Sequence, residues 1–168
     1  MVHRLHDDEI RIDHDLVRKL VDTQFPKYSM MPLSRLDATG STNVLFRLGG
    51  ALLVRLPRQP GGSVGIDKER RWLPELGHHL PVAVPDVVAL GEPSSGFAER
   101  WSIVRWLDGE LPRACPPNEQ PTHERLALAT DLADVILAIR TIEVPDEAAN
   151  DPTLRGYRGR SLSEFDKQ

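Results

Sequence analysis

The sequence predicts an α+β fold built around a short antiparallel sheet. Three observations carry that expectation. Residues 44–57 read as a hairpin, with apolar runs on either side of Gly49-Gly50. Two further strand-like runs, 86–91 and 101–107, follow an intervening helical stretch. Segments with helical spacing open and close the chain, which sets helices apart from the run of strands.

The elements follow in order. Asp13 to Gln24 places Leu16, Val17, Leu20 and Val21 on one helical face, with Asp13 as N-cap and Pro26 as the stop. An extended piece, Leu33 to Ala38, leads to the turn-forming group Thr39-Gly40-Ser41-Thr42-Asn43. The hairpin strands are Val44 to Leu48 and Ala51 to Pro57, joined by a two-residue Gly-Gly turn. A flexible glycine-rich connection, Gln59 to Gly65, precedes a helix over Asp67 to Leu76, which Pro74 should kink or split. Strands Asp86 to Gly91 and Trp101 to Leu107 flank a polar loop, Glu92 to Arg100. After the proline-rich linker Leu111 to Pro121, Thr122 caps a helix on which Leu126, Leu132, Ala133, Ile136 and Ile139 recur, with Asp131 and Asp134 marking its wet face. The last twenty residues read as loosely ordered.

The chain has 168 residues, 21 Lys+Arg and 25 Asp+Glu, a length that suits one domain or a little more. Its net charge of −4 argues against a protein that wraps nucleic acid. Even the greasiest stretch, Leu126 to Ile142, carries Asp131, Asp134 and Arg140, so no membrane span is expected. The opening residues lack the apolar core of a signal peptide, and the single cysteine, Cys115, gives no internal disulfide. A soluble, cytoplasmic protein is the expectation. Residues 1–71 hold 12 basic and 9 acidic side chains, residues 72–168 hold 9 and 16. Such a split suits an anionic ligand on one side and a cationic one on the other, and equally suits two solvated surfaces.

Strand alternation sets Leu52, Val54 and Leu56 on one face and Leu53, Arg55 and Pro57 on the other. Arg55 is then either an exposed strand residue or a fixed guanidinium beside the Gly40-Ser41-Thr42-Asn43 loop, an arrangement suited to phosphate. Glu69 on the following helix reads alone as a surface charge, yet it could pair with Arg55 and orient it. His78-His79 has no nearby carboxylate at ligand spacing, and Cys115 lies in a linker with no paired histidine. Trp72, Trp101 and Trp106 read as core or lobe-interface residues.

At this point a resemblance emerges. The opening HDDEIRIDHDLVRKLVDTQFP, the loop and hairpin GSTNVLFRLGGALLVRLPR, the helix and exit KERRWLPELGHHLPVAVPDVVALGEP and the strand WSIVRWLDGE resemble the amino-terminal half of the aminoglycoside phosphotransferase family, whose fold is protein-kinase-like. The likeness covers roughly residues 6–165. It implies a kinase-like nucleotide-binding lobe over 1–107, a five-stranded antiparallel sheet with one inserted helix. Residues 108–168 would be the hinge exit and the start of a helical substrate lobe.

The resemblance also implies roles. Arg55 would stand at the phosphate-binding position, presenting a fork where kinases present a lysine. Glu69 would be its orienting partner. Ser41, Thr42 and Asn43 would form the tip of a nucleotide-positioning loop, shorter and poorer in glycine than in protein kinases. Leu53 would roof the base, and the backbone of Arg105 and Leu107 would bond its edge. The nucleotide would be ATP or GTP, and the acceptor a small hydroxylated compound, with a cationic aminoglycoside compatible with the acidic later segment.

Phosphoryl transfer also needs a catalytic loop of the form H-G-D-x-x-x-x-N and a later metal-binding Asp. The only His-x-Asp here is His6-Asp7-Asp8, and five residues after Asp8 stands Asp13 rather than Asn. No catalytic or metal-binding residue is therefore expected in this chain, and Mg²⁺ would come only with the missing C-terminal half. The chain alone is expected to bind nucleotide without turnover. The competing expectation is a non-catalytic nucleotide-binding or interaction module from a truncated kinase-like gene, self-associating through the helix Thr122 to Ile142.

Overall fold

The fold was read from a computed structural model, which describes residues 8–37, 42–110 and 122–154. The turn residues Thr39, Gly40 and Ser41, the linker with Cys115, and the tail from Arg155 lie outside them. The described residues fall into two compact units, 8–37, 42–74 and 84–110 in one, 75–83 and 122–154 in the other.

In the first unit, helix α1 (His14–Gln24) is closed at both ends as its sequence requires. Asp13 accepts a hydrogen bond from the Leu16 N–H at 3.0 Å, and the Phe25 N–H returns to the Val21 carbonyl. Pro26 cannot continue the helix and instead opens a short 3-10 turn, Pro26–Tyr28. Strands β1 (Leu33–Arg35), β2 (Asn43–Leu48), β3 (Leu52–Pro57), β4 (Val87–Gly91) and β5 (Trp101–Arg105) form one antiparallel sheet in the order β1-β2-β3-β5-β4. Helix α2 (Ser63–His79) lies between β3 and β4 in sequence. The α+β expectation, five strands with one inserted helix, is what the chain adopts.

One face of the sheet is the core. Phe46, Leu48, Val54, Leu56, Trp101 and Ile103 from the strands meet Val17, Leu20 and Val21 of α1. Each large apolar side chain buried this fully contributes about 1.5–3 kcal/mol. Phe25 meets Trp101 edge to face with ring centroids 5.5 Å apart. Gly91 faces Trp101 across the β4–β5 ladder, where the indole occupies the space a Cβ would need. The opposite face carries Asn43, Leu45, Arg47, Leu53 and Arg55, all partly exposed.

Several expectations need correction. The hairpin loop has three residues, Gly49-Gly50-Ala51, because Leu48 pairs with Leu52, and Gly49 takes a positive φ of 61°. That extra residue matters. A two-residue turn would set Arg55 opposite Val44, whereas the observed register sets it opposite Leu45. Pro57 is buried rather than sharing the openness of Leu53 and Arg55. Helix α2 starts at Ser63, four residues early, and runs through Pro74 as one element rather than two. Strands β1 and β5 are shorter than their apolar runs, ending at Arg35 and Arg105.

In the second unit, α3 (His123–Thr141) has Thr122 as N-cap, and α4 (Asp146–Asn150) adds a short helix after it. Asp131 and Asp134 are exposed, as expected of a wet face, but no side chain of α3 is buried, so its apolar side is exposed too. Leu126, Leu132, Ile136, Leu137 and Ile139 are each more than half exposed. Among the described residues, no helix is long and apolar enough to cross a membrane.

Candidate functional site

The open face of the sheet positions the site. Arg55 stands in the middle of β3, with Leu45 of β2 on one side and Ser102 of β5 on the other. Its guanidinium forks onto Glu69 of α2, with Nη1–Oε2 at 2.5 Å and Nη2–Oε1 at 2.9 Å. Both side chains are partly shielded, at 18% and 31% exposure, so water screens the pair less than a surface one. A guanidinium has five N–H donors. Glu69 takes two, and the remaining three make Arg55 an oriented cation rather than a spent one.

Beside this pair lies a cleft of about 490 Å³. Thr42, Asn43, Leu53, Arg55, Arg105 and Leu107 all line it, and Glu69 reaches it through Arg55. Seven of the eight residues singled out from the sequence are thus brought together; Ser41 lies outside the described residues. The cleft wall is greasy where β2, β3 and β5 supply Leu45, Leu53 and Val104, the last two directly opposite each other. It is cationic at Arg55 and edged by polar backbone at Arg105 to Leu107. An apolar-walled cleft with an oriented cation in its lining suits a planar base joined to phosphate.

The segment leaving β5 is held in place. The Arg105 N–H donates to the Asp86 carbonyl, and the Trp106 N–H to the Ala51 carbonyl, both at 2.9 Å. The Arg105 carbonyl is then the group this residue can offer a ligand. Among the described residues, the Leu107 N–H has no partner. The Trp106 indole N–H donates to Asp108 at 2.8 Å, and the Arg47 guanidinium lies 3.7 Å from the centre of its ring. Arg47 also donates to the carbonyls of Gly49 and Gly50, tying the hairpin tip to this segment.

Sequence reasoning missed Leu45, Pro85, Val104 and Trp106 as lining residues. Leu45 could have been found from the alternation of β2 had the hairpin register been right. Trp106 turns onto the cleft because β5 ends one residue before it, which an unbroken apolar run conceals. Among the described residues, no group of three His, Cys, Asp or Glu side chains could hold a metal ion. His79 pairs loosely with Glu75, 3.7 Å away on the same helix.

An arginine–glutamate fork thus lies beside a cleft on the open face of a five-stranded antiparallel sheet. Residues 34–167 match the phosphotransferase enzyme family, and the chain belongs to that family. No curated protein matches it. Among solved structures, it resembles the GDP and kanamycin complex of APH(2")-IIia, at 23% identity over 79% of this chain and 43% of that one, TM-score 0.61. It also resembles the GDP complex of wild-type aminoglycoside 2'-phosphotransferase-IIIa, at 22% identity over 82% and 44%, TM-score 0.64. The streptomycin-ATP-APH(2")-IIa ternary complex matches at 20% identity over 81% and 42%, TM-score 0.52. At these identities the likeness shows the fold alone. The chain spans less than half the length of each of these structures.

Proposed function

We propose that this chain is the nucleotide-binding part of a small-molecule phosphotransferase, with residues 1–107 as its nucleotide lobe and 108–168 as the beginning of its substrate lobe. The observation that carries the reading is the Arg55–Glu69 fork beside a cleft lined by Thr42, Asn43, Leu53, Arg105 and Leu107. Arg55 binds the phosphates of ATP or GTP, and Glu69 holds its guanidinium in the binding direction. Leu53 covers one face of the base. The Arg105 carbonyl and the Leu107 N–H bond its edge, and Thr42 and Asn43, with Ser41, flank the phosphates. The reaction served is transfer of a phosphoryl group to a hydroxyl of a small compound. The acidic later segment and the kanamycin, gentamicin and streptomycin complexes of similar structures support a cationic acceptor. Phosphoryl transfer also needs catalytic-loop and Mg²⁺-binding groups, and no H-G-D-x-x-x-x-N motif occurs in these residues.

Fluorescent analogues of ATP and GTP test this directly. Saturable binding of at least one is expected, and Arg55→Ala should weaken it by about 10- to 100-fold, the worth of a charge-assisted hydrogen bond, with an unchanged circular dichroism spectrum. Failure of the wild-type chain to bind either nucleotide would sink the reading.

A second reading, an interaction module that pairs with another copy of itself, is favoured by one observation. Leu126, Leu132, Ile136, Leu137 and Ile139 of α3 share one half of the helix and are each more than half exposed.

A further inference from the structure

The loop between β4 and β5 is far more tightly held than a connector needs to be. Its tip is a tight turn in which Ser94 and Phe97 exchange backbone hydrogen bonds at 3.0 and 2.9 Å, around positive φ angles at Ser95 and Gly96. Phe97 is 1% exposed and joins the core. On the α1 side, the Gln24 amide accepts from the Glu92 N–H at 2.8 Å and donates to the Glu92 carbonyl and to the Ser94 hydroxyl. On the α2 side stands Glu99, buried at 7% exposure.

Glu99 caps a helix that cannot cap itself. Residues 61 and 62, before α2, are glycines with no side chain to offer. One Glu99 oxygen accepts from the Gly61 N–H at 2.8 Å, and the other accepts from the Ser63 N–H at 2.8 Å and the Ser63 hydroxyl at 2.6 Å. The Ser63 hydroxyl in turn accepts from the Arg100 N–H at 2.8 Å. The Arg100 Nη1 then donates to both oxygens of Asp67, each at 2.8 Å. Adjacent loop residues therefore hold α2 at Ser63 and at Asp67, and Glu69 lies two residues beyond Asp67 on the same helix. A carboxylate at a helix N-terminus is also favoured by the helix dipole.

We propose that Glu99 is a positioning residue for the nucleotide site, fixing the start of α2 so that Glu69 meets Arg55. This rests on the nucleotide-binding reading above. Without the Glu99 carboxylate, two N–H groups and a hydroxyl at the head of α2 lose their acceptor. The first turn can then fray or shift, and Glu69 is no longer aimed at the Arg55 fork.

A double-mutant cycle on fluorescent-nucleotide affinity separates this role from general support of the fold. Glu99→Gln should weaken binding about three- to tenfold in the wild-type background and have almost no further effect in a Glu69→Gln background, because it acts through that residue. Should Glu99→Gln fail to fold, Ser63→Ala, which removes only the hydroxyl bonds, takes its place in the cycle. Equal weakening in both backgrounds, or none in either, would overturn the inference and leave the nucleotide reading standing. A wild-type chain that binds neither nucleotide would overturn both.

Discussion

At Gly91 the structure leaves no room for any side chain. A Cβ there would lie 1.9 Å from Cε2 of Trp101, and the indole is pinned in turn by Phe25. Gly91→Ala should therefore destabilise the protein by about 1–3 kcal/mol, as overpacked cores do, and thermal denaturation measures it. An unchanged melting temperature would mean that the indole has somewhere else to go. Single residues also show how far a sequence can be read. Arg55 stood out because a charge in an apolar strand has to be explained, and Glu69 because it lies on the next element, the two meeting across 14 positions. Leu45 and Val104 were hidden because nothing in an apolar residue says which face it serves; only the cross-strand register does. Gly91 was hidden because a glycine at a strand end ordinarily signals a turn, not the footprint of a tryptophan.

Helix α2 was half legible. Its existence followed from its spacing, but its beginning did not, since its cap is a side chain 36 positions further on. Pro74 was expected to kink or split it. A proline removes one N–H from the ladder and crowds the preceding turn, yet the helix continues to His79 with Pro74 exposed. The remote cap makes this element acid-sensitive. Burial alone would raise the Glu99 carboxyl, but hydrogen bonds from the Ser63 hydroxyl and from the Gly61 and Ser63 N–H groups outweigh it and hold the pKa below its usual 4.5. A carboxylate whose folded pKa is depressed stabilises the fold above the unfolded value, and that contribution disappears as pH falls through the folded one. The melting temperature of the wild-type chain should thus fall more steeply below pH 4.5 than that of Glu99→Gln. Parallel acid profiles for the two proteins would show that the cap adds nothing to stability.

On the scale of the whole molecule the two units differ in kind. The first encloses a core between α1 and the sheet, whereas α3 in the second buries none of its side chains. The helix itself was legible from Thr122 and its apolar spacing. Its exposure was not, because Leu126, Leu128, Leu132, Ile136, Leu137 and Ile139 share one half of the helix, a pattern that ordinarily marks a buried face. If these side chains find a second copy, light scattering should report a mass above 18.8 kDa that rises with concentration and reverts on Leu132→Lys with Ile136→Lys. A mass of 18.8 kDa at every concentration would remove the interaction reading.

The strand order β1-β2-β3-β5-β4 sets a schedule for assembly. The hairpin of β2 and β3 can close as soon as it is synthesised, since its partners are neighbours in the chain. Strand β4 emerges next but has no edge to join, because its only neighbour in the sheet, β5, is made after it. Residues 87–91 must wait unpaired until the chain has turned through 92–100 and β5 has zipped onto β3. The turn at Ser94–Phe97 is then a timing element. The sooner it forms, the shorter the interval in which an apolar strand is open to the wrong partner.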